Sequence, residues 1–596
     1  MTEHFEVLDR DGAARLGELR LADPVPTPAL IDDVVRDAGS LWSAEREVPA
    51  GDPSALTVLP HRGLPRGTPD AVTEAFQEPA AAVDGPSAVV VSPDTVEDVT
   101  EAAEPGSVDA YVLSSAAGYV DEPRALRSAL LTLRRAMPDD TALYLPGVAT
   151  PATVALLAYA GVDCVDADAA VIAGTRGRYL TAEGETDLAD LDALPCACPA
   201  CDRPREDFTR EHCVEHNERA LAAALRGVRE RVRTGRLRDY LEGQVRHDPT
   251  LTAAFRGFDQ EWGYLAERAP VFRGAEFAAT TEDALERVEI RRFADRVTSR
   301  YEPRFADRPL LLVPCSARKP YSESRSHSRF QDAAGYRAHV VSITSPIGVV
   351  PRELELTYPA QHYDAVVTGE WSAGEVEFVS AVLDRYLDRA DHPRAVAHVP
   401  DEYRPVVECA VADRALDVTY TVPRDGHPTG DDALAALADA LAGEEPIPVS
   451  AHEAATLRAV ADYQFAPTAD GDGAGTALFG DATVVGRHPK LRVERDGEQL
   501  AALVPEYGLL ALTLAGARAW RESDVPTRTV TIDDFVPRGS VLAPGVVDAD
   551  PEIRVGDEVV VEGPSALAVG RATAHGRAMV ESIRGMAVQV RHAAER

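Results

Sequence analysis

Up to about residue 300, short apolar runs alternate with stretches of helical spacing, and this rhythm restricts the fold more than any single motif. The segments "SAVVVS", "VDAYVLS", "ALYLPGV" and "GVDCVDADAAVIAG" have the length and composition of buried strand ends. Between them, "EPRALRSALLTLRRAM" and "TPATVALLAYAG" place apolar residues at helical spacing. Parallel strands need long crossovers, so strand, helix, strand, helix predicts a parallel α/β domain, either a barrel or a doubly wound sheet. At 596 residues the chain exceeds what one core can serve, and roughly three to five domains are expected.

The rest of the chain changes character twice. "HNERALAAALRGVRERVRTGRLRDYLEGQVRHD" predicts one long helix with arginines on its exposed side, and "RPLLLVPCSARKP" opens a fresh buried strand near residue 301. The second domain runs through "AHVVSITSPIGVVPREL", "YDAVVTGEW" and "RAVAHVPDEY", three strand-then-loop units, to about residue 430. "YTVPRDGHPTGDD", rich in Pro, Gly and Asp, reads as a linker. Residues 446–522 mix helices with a hairpin turning at Asp496-Gly497. Residues 527–596 carry short alternating strands with Gly and Pro turns, a compact β-barrel. The expected fold class is multidomain α/β, with a barrel over 1–300, a second α/β domain over 301–430, a small α+β module and a C-terminal β-barrel.

The net charge is -37 and the sequence pI about 4.8, with carboxylates spread along the whole length. That pattern predicts a solvated acidic surface suited to concentrated salt, and at 45% hydrophobic the chain is too apolar for an acidic disordered protein. No apolar run approaches the ~18 residues a membrane helix requires. The opening "MTEHFEVLDRDGAARLGEL" has neither the basic nor the apolar region of an export signal. A cytoplasmic protein without membrane association is expected.

Seven cysteines are an odd number, and three stand within six residues. Cys196, Cys198 and Cys201 in "CACPAC", with His216 downstream, form the closed tetrahedral set of a structural zinc site. Cys213 is an alternative fourth ligand to His216.

"FEVLDRDGAARLGELRLADPVPTPALI" resembles the opening of a tRNA-guanine transglycosylase. "GVATPATVALLAYAGVDCVDADAAV", "RGRYLT" and the cysteine loop resemble that family's late barrel strands and zinc loop. The resemblance implies a (β/α) barrel over residues 1 to 300 that handles a 7-deazaguanine base in tRNA. Such enzymes exchange a base with two aspartates. Asp166 matches one, while no Asp-Ser-Gly-Gly-like motif for the other occurs between Leu59 and Asp109. Base exchange is therefore not the expected reaction.

The block "PCSARKPYSESRSH", Pro314 to His327, sits just beyond the strand "LLLV", where open α/β sheets place ligands. Its Lys319 is one of two lysines in the chain, the other being Lys490. Arginine supplies surface cations everywhere else, so a retained lysine implies proton transfer, attack or a point contact that a guanidinium does not provide. Cys315, Lys319, Tyr321, Ser324 and His327 are the candidate chemical groups.

This block is similar to that of the archaeosine synthase family, the transglycosylase paralogues of archaea, and the resemblance extends to a C-terminal module like a PUA domain. It implies attack by an amine, free L-lysine, on the nitrile of 7-cyano-7-deazaguanine in the D-loop of tRNA. The resulting amidine is then converted by a radical-SAM partner subunit. Glutamine as nitrogen donor, base insertion by transglycosylation and a non-catalytic tRNA scaffold are the alternatives. Arg352, Glu353, Asp364, Glu370 and Trp371 are expected to wall the pocket.

From Thr527 onward eight arginines face ten acids, a near-neutral island in an acidic chain. Arg571, Arg577, Arg584 and Arg591 are expected to meet tRNA phosphates there. A homodimer is compatible with the sequence.

Overall fold

The computed structural model describes residues 2–39, 50–61, 68–75, 83–103, 107–366 and 370–596. The chain divides into two compact units. The first comprises Met1–Ala269, Leu542–Val546 and Ala574–Ala587. The second comprises Pro270–Val541, Val547–Thr573 and Val588–Arg596.

The first unit is built on a seven-stranded sheet. Its order is Ala29–Leu30, Cys164–Val165, Ala142–Leu145, Ala110–Leu113, Ser87–Val91, Leu56–Val58 and Val35–Asp37. Every pairing is parallel. From Val35 onward the strands follow one another in chain order, the winding of a barrel, and among the described residues the two outer strands are not paired with each other: the sheet is a half-barrel. The antiparallel strands Phe5–Asp11, Ala14–Leu19 and Val25–Thr27 place Phe5 and Leu19 in a core with Ile31, Leu56, Val112 and Tyr144.

Arg15 fixes the end of this sheet. It is buried, and its Nε donates to Asp163 Oδ1 at 3.0 Å while Nη1 and Nη2 reach the carbonyls of Asp139 and Thr141 at 2.5 and 2.8 Å. Asp163 in turn accepts from Leu143 N at 2.8 Å, so one buried ion pair ties the strand leading to Asp166 to its neighbour.

The long helix expected after residue 216 is two helices. Arg210–Arg233 ends at Thr234-Gly235, where Gly235 takes φ +67°, and Leu237–Gln244 follows. A left-handed residue terminates a helix at low cost only when it lacks a Cβ.

In the second unit a five-stranded sheet has the order Gly348–Pro351, His339–Thr344, Leu310–Pro314, Ala395–Ala397 and Val418–Tyr420. The last four run parallel and the first is an antiparallel edge. Strand Leu310–Pro314 is buried on both faces, which explains its unbroken apolar run. Leu310 and Leu312 pack with Ile290, Phe293 and Val297 of helix Val288–Ser299, and Leu311 and Val313 with Phe330 and Leu437. Each such side chain contributes roughly 1.5–3 kcal/mol. The helix Asp431–Ala440, placed beyond the expected linker, therefore belongs to this core.

After it come helix Val449–Gln464 and the antiparallel strands Thr483–Arg487, Lys490–Arg495, Glu498–Val504 and Leu509–Leu512. Asp496 and Gly497, at φ 54° and 84°, turn the hairpin between Arg495 and Glu498. A six-stranded sheet spanning Thr529 to Glu595 ends the chain.

Replacing Arg15 by Met leaves Asp163 buried without its cation, and unfolding of the first unit should become easier by about 3–5 kcal/mol. Urea denaturation checks this; a change under about 1 kcal/mol would show that the ion pair does not hold the sheet end.

Candidate active site

The chain leaves strand Leu310–Pro314 and turns back on itself through residues 315–324. Ser324 ends this loop and caps helix Arg325–Ala334 by accepting from His327 N at 3.2 Å; Gly335 closes the helix at φ 62°. Glu355 holds the loop from the side, accepting from Ser322 N at 2.8 Å. His327 is buried, and its Nε2 donates to the carbonyl of Pro314 at 3.0 Å while its ring stacks on Tyr321. Burial lowers His327 to about 4, against a small upward pull from the Pro314 bond, so the ring is neutral near pH 7. It fastens the helix to the strand end.

The half-buried Cys315 thiol lies 3.4 Å from Tyr403 Oη. Tyr403 ends the turn Asp401–Tyr403, which follows strand Ala395–Ala397. These two strands are neighbours in the sheet, and chain connections leave them toward opposite edges. The thiol and phenol thus meet at the topological switch point, outside the carboxyl ends of the strands, where the architecture leaves a crevice.

Lys319 Nζ stands over the Tyr363 ring at 3.9 Å from its centroid. Its pKa is lowered by burial, while Cys315, Asp364 and Glu276 pull it back up. Tyr363 Oη shares 2.7 Å hydrogen bonds with Tyr321 Oη and Thr344 Oγ1. Trp371 packs edge-on against Tyr403 at 4.7 Å between centroids.

Of the expected wall residues, Trp371 therefore contacts Tyr403 and Asp364 bears on Lys319. Glu370 is exposed. Arg352 is half-buried, and its charge acts on both His327 and Glu353. Glu353 is not brought to the thiol. It is buried with Tyr301 and His339, and His339 opens the strand whose far end pairs Ile343 with Pro314. Tyr363, Tyr403 and Thr344 are additional site residues; the two tyrosines stand in the segments "HYDAVV" and "RAVAHVPDEY", each just after or within a strand.

In the first unit, Asp166 has both oxygens engaged. Tyr144 Oη donates at 2.8 Å, Gly147 N at 2.9 and 3.0 Å, and Asp168 N at 3.2 Å. Burial and the adjacent Asp166 charge raise Tyr144, which keeps that phenol a donor. The span from Leu59 to Asp109, empty of a second aspartate motif, includes residues 62–67, 76–82 and 104–106, which lie outside the described residues.

The ligand atoms of Cys196, Cys198, Cys201 and His216 all lie within 4.8 Å of one another. His216 Nε2 donates to Leu180 O at 2.9 Å, which leaves Nδ1 unprotonated and facing the sulfurs of Cys201 and Cys198 at 3.4 and 3.5 Å. Tyr179 stacks on the imidazole at 3.8 Å. A fixed tautomer with its lone pair facing a cluster of three cysteine sulfurs is what a metal ion requires, so the set can hold one. Cys213 is outside this group; its thiol points to Arg178 O at 3.3 Å.

The C-terminal arginines are largely engaged with protein. Arg571 packs over Phe272 and Tyr507, Arg577 bonds Glu581 and the Met137 carbonyl, and Arg591 bonds Glu558 and the Leu512 carbonyl. Arg584 is exposed.

Four family models match the chain. Residues 70–250 match queuine tRNA-ribosyltransferase and 290–441 a domain of unknown function (DUF5591). Residues 455–526 match the patch-forming domain C2 of tRNA-guanine transglycosylase, and 529–594 a PUA domain. Over its full length the chain is 56% identical to archaeosine synthase of Haloferax volcanii, with all of both chains covered. The chain belongs to the archaeosine synthase family. It is 41% identical to the archaeosine synthase subunit alpha of Methanosarcina acetivorans over 99% of each chain. The tRNA-guanine(15) transglycosylase of Methanothermobacter thermautotrophicus is 27% identical over 78% of this chain and 68% of that one. Within this archaeosine synthase family member, the thiol and lysine lie inside the match to the domain of unknown function.

His327 and His398 are both buried neutral with pKa values lowered to about 4, mainly by burial. Between an unfolded value of about 6.5 and the folded value, the unfolded chain binds protons that the folded chain does not. Stability therefore falls as pH drops through that window, by up to about 1.4 kcal/mol per pH unit for each ring. His327→Gln should flatten this slope in denaturation midpoints measured from pH 6.5 to 4; an unchanged slope would show that His327 titrates normally.

Proposed function

We propose that this chain adds free L-lysine to the nitrile carbon of 7-cyano-7-deazaguanine at position 15 of tRNA, giving an amidine adduct that a radical-SAM partner converts to archaeosine. The observation that carries this reading is the half-buried Cys315 thiol, held by Tyr403 and close enough to Lys319 for its charge to act there, at the switch point of the central sheet. A thiolate is the strongest protein nucleophile toward an electron-poor carbon, and the thioimidate it forms is activated toward amines. The ε-amine of free lysine is an ammonium near pH 7 and must lose a proton before it attacks. Lys319, with its own pKa lowered by burial, takes that proton.

Base insertion by transglycosylation is the second reading. It needs a free carboxylate, and Asp166 is fully occupied by Tyr144, Gly147 and Asp168. We assign that aspartate to holding the strand end.

Zinc is the metal proposed for Cys196, Cys198, Cys201 and His216, with a structural role, since the donor set leaves no position for substrate. Metal analysis of Cys198→Ser against the parent chain tests this, and retention of stoichiometric zinc by the variant would refute it. The PUA domain is proposed to bind the tRNA, with Arg584 meeting phosphate. No helix among the described residues is long and apolar enough to cross a membrane. The net charge of -37 fits a salt-rich cytoplasm, where counterion release is weak and shape recognition carries more of the affinity.

Nitrile-bearing tRNA incubated with the chain and isotopically labelled lysine should yield a nucleoside containing the whole lysine by mass spectrometry. Cys315→Ala should lose at least about a hundredfold in rate. An unchanged nitrile with folded protein would refute the reading, as would transfer of nitrogen alone from glutamine.

A further inference from the structure

We propose that Tyr403 is a catalytic proton relay for Cys315, taking the thiol proton as sulfur bonds to the nitrile carbon and passing its own proton to the nitrile nitrogen. This rests on the reading that Cys315 attacks the nitrile. One C–S bond forms, one of the three carbon–nitrogen bonds becomes an N–H, and the phenol ends the step as it began. In the second step the amine nitrogen bonds to the same carbon and the C–S bond breaks. The ammonium gives one proton to Lys319 before attack, and the nitrogen loses a second on bonding to carbon, which Tyr403 passes to the departing sulfur. Amidine and free thiol result, with no oxidant or reductant.

Three alternatives for this role fail on geometry. Tyr321 is 2% exposed and its hydroxyl is bonded to Tyr363. His327 has Nε2 on the Pro314 carbonyl and its ring against Tyr321. Lys319 Nζ is directed onto the face of the Tyr363 ring, 3.9 Å from its centroid, and is assigned to the proton of the incoming amine. A phenol carries donor and acceptor on a single oxygen, and Tyr403 Oη is 3.4 Å from the sulfur.

The backbone around Tyr403 is fixed. Arg404 forms an ion pair with Asp401 at 2.7 Å and donates a hydrogen bond to the Val422 carbonyl at 2.7 Å, anchoring the turn from both sides. Trp371 holds the ring edge-on. Tyr403 is itself half-buried, leaving part of the phenol toward the crevice. Burial and the neighbouring Cys315 charge raise its pKa, so the phenol stays protonated. It acts by handing protons through, not as a standing phenolate base.

The test is Tyr403→Phe in the full chain, which keeps the ring and its Trp371 contact and removes only the hydroxyl. Turnover of nitrile-bearing tRNA should fall about 10²–10³-fold in kcat, with KM for tRNA little changed. The deficit should narrow as pH rises, because a preformed thiolate needs no relay for its proton. Full activity, or a loss whose ratio to the parent is constant across pH, would overturn the relay. Cys315→Ala is run alongside: an active Cys315→Ala refutes the thiol reading itself, whereas an inactive one beside a fully active Tyr403→Phe refutes the relay alone. If Tyr403→Phe does not fold, 3-fluorotyrosine at position 403 supplies the readout. A more acidic phenol changes kcat if it transfers protons and leaves it unchanged if it only packs.

Discussion

The hydrogen bond from the buried His327 ring to the Pro314 carbonyl fixes where the central strand ends and the reactive loop begins. Everything proposed for the site depends on that end point. With the strand stopped at Pro314, Cys315 emerges beside the end of its neighbour, Ala395–Ala397, and meets Tyr403. The histidine does this as a neutral ring, because packing among Tyr321 and Phe330 removes it from water. A residue that looks chemical in the sequence thus serves by holding two elements together.

The same separation between holding and reacting runs through both units. Asp166 spends its oxygens on Tyr144, Gly147 and Asp168, and Glu353 spends its own on Tyr301 beside His339. Cys315, Lys319 and Tyr403 are instead half-buried, with the thiol beside the Tyr403 hydroxyl and Lys319 on the face of Tyr363. Lys319 is the sole lysine in the matched central domain, and its Nζ sits on the face of Tyr363.

Much of this was legible in the sequence. The strand and helix rhythm foretold the parallel sheet, the close-set cysteines with His216 foretold the cluster, and the Asp496-Gly497 pair marked its hairpin. These signals are local: period, spacing and turn chemistry act within a few residues. Tyr403 and Tyr363 were not singled out, although their segments were read as strand-then-loop units. Their importance comes from strand order, which brings residues 315 and 403 together across 88 positions, and no local pattern encodes that. The break at Gly235 was missed for a related reason, since helical periodicity continues on both sides of it. The placement of Arg571, Arg577 and Arg591 against protein partners likewise depends on residues far away in sequence.

The central claim is that Cys315 forms a covalent bond with the modified base. The most direct measurement is mass spectrometry of the chain after incubation with nitrile-bearing tRNA in the absence of any amine, followed by nuclease and protease digestion. The account predicts a nucleotide adduct on the peptide containing Cys315, which disappears when lysine is added. An unmodified Cys315 peptide in protein that converts the same tRNA once lysine is supplied would contradict it.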